Sequence, residues 1–162
     1  MPAVVGGLLL AGCGSSSGTT GTAPSAATSA IHAATSSTGL TYLDDGAGHA
    51  LYVFAIDSNG RSRCTGSCLT YWPIEPATAA ASRAPGVTAA LGTLVRPDGA
   101  RQLTIDGLPA YTYVGDTAPG STAGQGLNAS GGLWWLIDPS GHAITTRASP
   151  SRSAGAGMGH GY

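Results

Sequence analysis

The segment Leu51-Tyr52-Val53-Phe54-Ala55-Ile56-Asp57 returns later in the chain as Ala110-Tyr111-Thr112-Tyr113-Val114-Gly115-Asp116. Each copy leads into a turn-rich stretch and then into tryptophan, Trp72 after the first and Trp134-Trp135 after the second. Recurrence of a unit this short predicts two half-units related by an approximate internal symmetry. In each copy the aromatics stand two apart, Tyr52 with Phe54 and Tyr111 with Tyr113, which puts both on one face of a strand. Core packing is the ordinary use of such a pair, ahead of a ligand platform, because aromatic side chains dominate buried area. Asp57 opens Asp-Ser-Asn-Gly and Asp116 precedes Thr-Ala-Pro-Gly, so each carboxylate is placed to accept backbone N–H groups of the turn that follows it.

Around these copies the chain reads as short strands punctuated by turns. Leu40 to Leu43 and Ala50 to Ile56 flank Asp44-Asp45-Gly46-Ala47-Gly48, a hairpin with glycine where positive φ is needed. Arg96-Pro97-Asp98-Gly99 and Asp138-Pro139-Ser140-Gly141 place Pro second and Gly fourth, as a type I turn prefers. Gln102 to Ile105 and Ala110 to Val114 flank an Asp106-Gly107 turn, and Leu133 to Ile137 with Ala143 to Thr146 make a last hairpin. The expectation is an all-β domain of about seven short antiparallel strands built from two half-repeats, about 40–76 and about 92–141, within an ordered region 39–147.

The start of the chain bears on location. Leu10-Ala11-Gly12-Cys13 follows the apolar stretch Val4 to Leu10 and reads as a lipobox. Small Ala and Gly give a signal peptidase access to the backbone, and the Cys13 thiol takes a diacylglyceryl group. Residues 1–12 are then a signal peptide, and two acyl chains anchor the protein to the cell membrane without a transmembrane helix. No Lys or Arg precedes the apolar segment, so either the N-terminal amine supplies the positive end or the true start lies upstream. Residues 14–38 are nearly all Gly, Ser, Thr and Ala, too poor in large apolar side chains to offset their ordering entropy, and read with Cys13 as a flexible tether. Residues 148–162 read as a disordered tail. Charged residues make up 9% of the chain and the net charge is −1, with no basic block, which argues against a nucleic-acid partner.

The doubled pattern Tyr-x-[Phe/Trp/Tyr]-x-x-Asp, the stretch Arg61-Ser62-Arg63-Cys64-Thr65-Gly66-Ser67-Cys68 with Tyr71-Trp72-Pro73 after the first copy, and Asp116 to Gly126 with the Trp134-Trp135 strand after the second resemble the secreted-repeat predicted lipoproteins of unknown function. The likeness spans roughly 39–141. It implies an exported bacterial repeat and leaves activity open. The second half has no cysteines matching Cys64 and Cys68, so cysteine chemistry belongs to the first half alone.

With Cys13 lipidated, Cys64 and Cys68 remain as one pair in an oxidising compartment, and a disulfide is the first expectation. The alternative is a copper-binding or thiol redox site, since two thiolates and a histidine suit Cu(I). His49 would be the third ligand, or His142, although both stand beside glycine in turns where a solvated histidine is ordinary. Met158 and His160 in the tail are weaker candidates. General base chemistry has few candidates, because His32 falls in the tether, His160 in the tail, and no nucleophile motif accompanies the others. The adjacent carboxylates Asp44 and Asp45 point to opposite faces if extended, and the glycine-rich 120–132 stretch leads into a strand and not a helix. The expected function is therefore a non-enzymatic, lipid-anchored extracytoplasmic binding or cell-envelope accessory module, without a cofactor, for an unidentified envelope ligand or protein.

Overall fold

A computed structural model describes residues 30–78 and 82–146. The lipobox with Cys13, residues 1–29 of the leader and tether, and the tail with Met158 and His160 lie outside the described residues. Nine strands and one short helix are present among them. They are β1 (Ala30–Thr35), β2 (Thr41–Asp44), β3 (Tyr52–Phe54), α1 (Cys68–Tyr71), β4 (Ser82–Arg83), β5 (Leu91–Val95), β6 (Arg101–Ile105), β7 (Leu108–Pro109), β8 (Asn128–Ala129) and β9 (Gly132–Leu136). The chain is all-β, in three small sheets ordered β2-β1-β4, β3-β9-β8 and β5-β6-β7. Every pairing is antiparallel except that of β1 with β4.

Turn chemistry explains the register. Asp106 (φ 48°) and Gly107 (φ 83°) are both left-handed, which is what a two-residue hairpin loop needs to match strand twist, and they join Ile105 to its partner Leu108. At Arg96-Pro97-Asp98-Gly99, Gly99 N–H donates to Arg96 O at 2.9 Å and sets β5 against β6. Asp138-Pro139-Ser140-Gly141 closes with the same bond, Gly141 N–H to Asp138 O at 2.9 Å.

One boundary differs from the sequence expectation. Residues 30–38 were expected in the tether, yet β1 pairs with β2 along Ala33↔Leu43 and Thr35↔Thr41, and Ile31 is 1% exposed. Composition misled here because a single large apolar residue in six suffices once the backbone has a partner on both sides. His32 is accordingly in a strand, its Nδ1 3.9 Å from Asp44 Oδ1. Three of the expected strand pairings are also slighter than expected. Asp44 and Ala50 form a single bridge, while β2 pairs mainly with β1 and β3 with β9. Of the expected strand Ala110 to Val114, only Tyr111 bridges, to Tyr52 and Ile74, and at the last hairpin Ala143 alone bridges Ile137.

Several backbone hydrogen bonds recur at equivalent positions in the two halves. In the first, Leu51 N–H donates to Leu43 O (2.9 Å) and Leu43 N–H to Ile137 O (2.8 Å). In the second, Ala110 N–H donates to Leu103 O (2.9 Å) and Leu103 N–H to Glu75 O (2.7 Å). The β1–β2 loop repeats the β5–β6 loop, with Gly39 N–H donating to Ser36 O at 2.9 Å as Gly99 does to Arg96. Ile137 belongs to the second half and Glu75 to the first, so each half is completed by a strand segment of the other.

Strand alternation then sorts side chains into two cores. Leu51 and Val53, with Trp135 and Ile137, join Ile31, Leu43, Leu103 and Ile105 in an aliphatic cluster. Tyr52 and Phe54, with Trp134 and Leu136, join Trp72, Tyr111 and the two cysteines in an aromatic one.

Candidate functional site

The repeated motif residues meet on the axis between the halves. Tyr52 and Tyr111 exchange both backbone hydrogen bonds, at 2.8 and 3.0 Å, which brings each phenol to the loop of the opposite half. Tyr52 Oη donates to Asp116 Oδ2 at 2.8 Å, and Tyr111 Oη donates to Asp57 Oδ2 at 2.6 Å. The second oxygen of each carboxylate binds its own loop: Asp57 Oδ1 accepts Arg63 N–H and Asp116 Oδ1 accepts Ala123 N–H, both at 2.7 Å. Each phenol has one more partner, Gly124 N–H at 3.2 Å for Tyr52 and Ser62 Oγ at 2.6 Å for Tyr111. Burial, reinforced by the facing carboxylate, pushes both phenols above their ordinary pKa and keeps them as donors. Burial raises Asp57 and Asp116 as well, with the phenol hydrogen bond acting against it.

Beside these pairs runs a four-ring stack, Phe54 on Trp134 (centroids 4.1 Å), Trp134 on Trp72 (3.8 Å, 1° between planes) and Trp72 on Tyr113 (4.3 Å). Tyr52 meets Trp72 edge-on at 5.4 Å and Tyr111 meets Trp134 edge-on at 5.1 Å, so the stack obeys the same symmetry. Tyr52, Tyr111, Trp72 and Trp134 are each 0% exposed. The motif is a closed internal frame, and a ligand arriving from solvent meets its edges.

Cys64 and Cys68 are disulfide-bonded with their Cα atoms 5.3 Å apart, in a tight turn that leads into α1. Both sulfurs are thus committed to each other. His49 Nδ1 is held by Asp45 Oδ2 at 2.7 Å, an interaction that raises the histidine pKa, and His142 Nδ1 lies 3.0 Å from Ser140 Oγ. Among the described residues no group of three or more His, Cys, Asp or Glu is placed to hold a metal ion, and no helix is long and apolar enough to cross a membrane.

Two surface clefts border the frame. One, about 250 Å³, is lined by Tyr71, Trp72, Tyr113, Ala129 and Ser130, with Tyr71 58% exposed. Here the symmetry breaks. Trp134 Nε1 donates to Ala129 O at 3.1 Å, whereas Trp72 Nε1 is buried and has no hydrogen-bond partner among the described residues. The other cleft, about 320 Å³, lies by the disulfide turn and includes Arg61, Arg63 and Arg96 among its walls. Sequence reasoning singled out neither. Tyr71, Arg61 and Arg63 stand inside stretches quoted for the resemblance and Arg96 opens a type I turn, but nothing local shows which side chains of a turn-rich stretch converge.

A family described as a secreted repeat of unknown function matches residues 92–138, from β5 to the turn after β9. These residues form most of the second half, and the first half repeats several of its backbone bonds. The match fits an extracytoplasmic repeat module. No curated protein and no solved structure matches the chain.

Proposed function

We propose that the protein is a lipid-anchored extracytoplasmic module that binds a ring-bearing ligand, without chemical transformation, in the cleft of Tyr71, Trp72 and Tyr113. The observation that carries this reading is a cleft lined by Tyr71, Tyr113 and Trp72, the last of which has a buried Nε1 without a hydrogen-bond partner among the described residues. A buried donor without an acceptor costs about 1–3 kcal/mol, and an acceptor on a ligand would recover it. Flat aromatic walls with a few fixed polar groups are the usual make-up of small-ligand sites. The secreted-repeat match supports the location, and the lipobox ending at Cys13 supports the anchor.

Two experiments test this. Tryptophan fluorescence of the soluble domain, titrated with envelope oligosaccharides and with aromatic glycosides, should change saturably, and Tyr71→Ala, a change at an exposed position, should weaken the response at least tenfold. An equal response in the variant would remove the cleft from the reading. Separately, Cys13→Ala should release the protein into the medium or leave an unprocessed precursor. Unchanged membrane retention would refute the anchor.

A further inference from the structure

The disulfide turn is held against the start of the β5–β6 loop by a buried arginine, which donates to Cys64 O. Arg96 is 4% exposed, its Nη1 donating to Gln102 Oε1 and its Nη2 to Cys64 O, both at 2.7 Å. Gln102 is itself 0% exposed and donates to Ala110 O at 2.8 Å, so the guanidinium is fixed by a buried amide and the disulfide turn. Its Nε, also buried, makes no hydrogen bond among the described residues. The carboxylate nearest to it, Asp98, is 4.0 Å away on a side chain 61% exposed and accepts Ala100 N–H instead. Asp57, the other carboxylate acting on this charge, is taken up by Tyr111 and Arg63 N–H.

A buried, immobilised cation without a hydrogen-bonded carboxylate is an uncommon arrangement, because desolvating a guanidinium is costly unless an anion compensates it. Arg96 lines the 320 Å³ cleft together with exposed Arg61 and Arg63, and neither of these has a carboxylate within ion-pair distance among the described residues. Leu94, Val95 and Pro97 supply an apolar wall, with Val95 61% exposed. Its volume falls at the lower end of small-ligand sites. The exposed guanidinium groups of Arg61 and Arg63 carry planar donor forks, which match oxyanions better than halide ions, and Arg96 adds a buried positive charge.

We propose that this cleft binds a small organic oxyanion, a phosphate or carboxylate group on an apolar body, with Arg61, Arg63 and Arg96 around the charge and Leu94, Val95 and Pro97 against the body. It shares no wall residue with the aromatic cleft and stands independently of the function proposed there.

Calorimetric titration of the purified full-length protein with phenyl phosphate, benzoate and inorganic phosphate, each at ionic strength matched by sodium chloride, tests the proposal. Saturable binding of phenyl phosphate or benzoate is expected, the tighter one naming the head group. Arg61→Ala with Arg63→Ala, both at exposed positions, should weaken it at least tenfold while the melting temperature holds, and Arg101→Ala should leave it unchanged. No saturable signal from any probe, or undiminished binding by the double variant, would overturn the site. Inorganic phosphate binding as tightly as phenyl phosphate would overturn the apolar half of it.

Discussion

Tyr52 reaches across the molecular axis to Asp116 while Tyr111 reaches back to Asp57, so each motif tyrosine is bound to the motif aspartate of the other half. The two halves are therefore interdependent. Neither half supplies the carboxylate for its own phenol, and each carboxylate has only one oxygen bound by its own loop, which gives a physical reason for the motif to occur twice in one domain.

The close packing of this frame predicts a severe effect at Gly124. A Cβ added there would lie 2.8 Å from Tyr52 Cε1 and 2.9 Å from Trp72 Cη2, both on buried rings held by stacking and hydrogen bonds. Gly124→Ala should cost about 1–3 kcal/mol, the range for overpacking a core that cannot shift. Denaturant unfolding checks it, and a loss below about 0.5 kcal/mol would mean that the rings move freely.

Glu75 predicts a pH dependence. Burial, with Asp45 adding to it and His49 opposing it, pushes its carboxyl from 4.5 to about 7. The folded value lies above the unfolded one, so the protein is most stable relative to this group below about pH 4.5, and that advantage is lost as pH rises through about 7. Glu75→Gln should then stabilise the protein by up to about 3 kcal/mol at pH 8 and by little at pH 4. Urea melts at the two pH values decide it, and an equal effect at both would show that the carboxyl is not desolvated.

The disulfide predicts a modest, metal-independent contribution. Joining Cys64 to Cys68 closes a short loop, worth about 2 kcal/mol in chain entropy. Replacement of both by Ser should cost about that much, and Cu(I) under reducing conditions should leave the melting temperature of the native protein unchanged. A saturable upward shift that vanishes in Cys64→Ser would restore the copper reading.

The sequence carried the all-β class, the turns and the internal repeat, because Pro-Asp-Gly, Asp-Gly and aromatic alternation are local signals. It did not carry β1, whose only large apolar residue is Ile31, nor β5, which lies half-exposed with Gly92 and Thr93 at its centre. Each is defined by its partner strand. The aspartates were legible as loop acceptors, but Asp57 closes its loop at Arg63 and not within Asp-Ser-Asn-Gly, and the exchange of phenols between halves has no local trace. The arginine cleft depends on Arg96 meeting Cys64, a contact between distant segments, and so could be found only in three dimensions.

The exchange of phenols is tested most directly by two double-mutant cycles on stability, Tyr52→Phe with Asp116→Asn and Tyr52→Phe with Asp57→Asn. The first pair shares a buried 2.8 Å hydrogen bond between the halves, and the second belongs to one motif copy. The expected coupling is about 1–3 kcal/mol for Tyr52 with Asp116 and near zero for Tyr52 with Asp57. Coupling confined to Tyr52 and Asp57 would contradict the interlocked arrangement and make each half a self-contained unit.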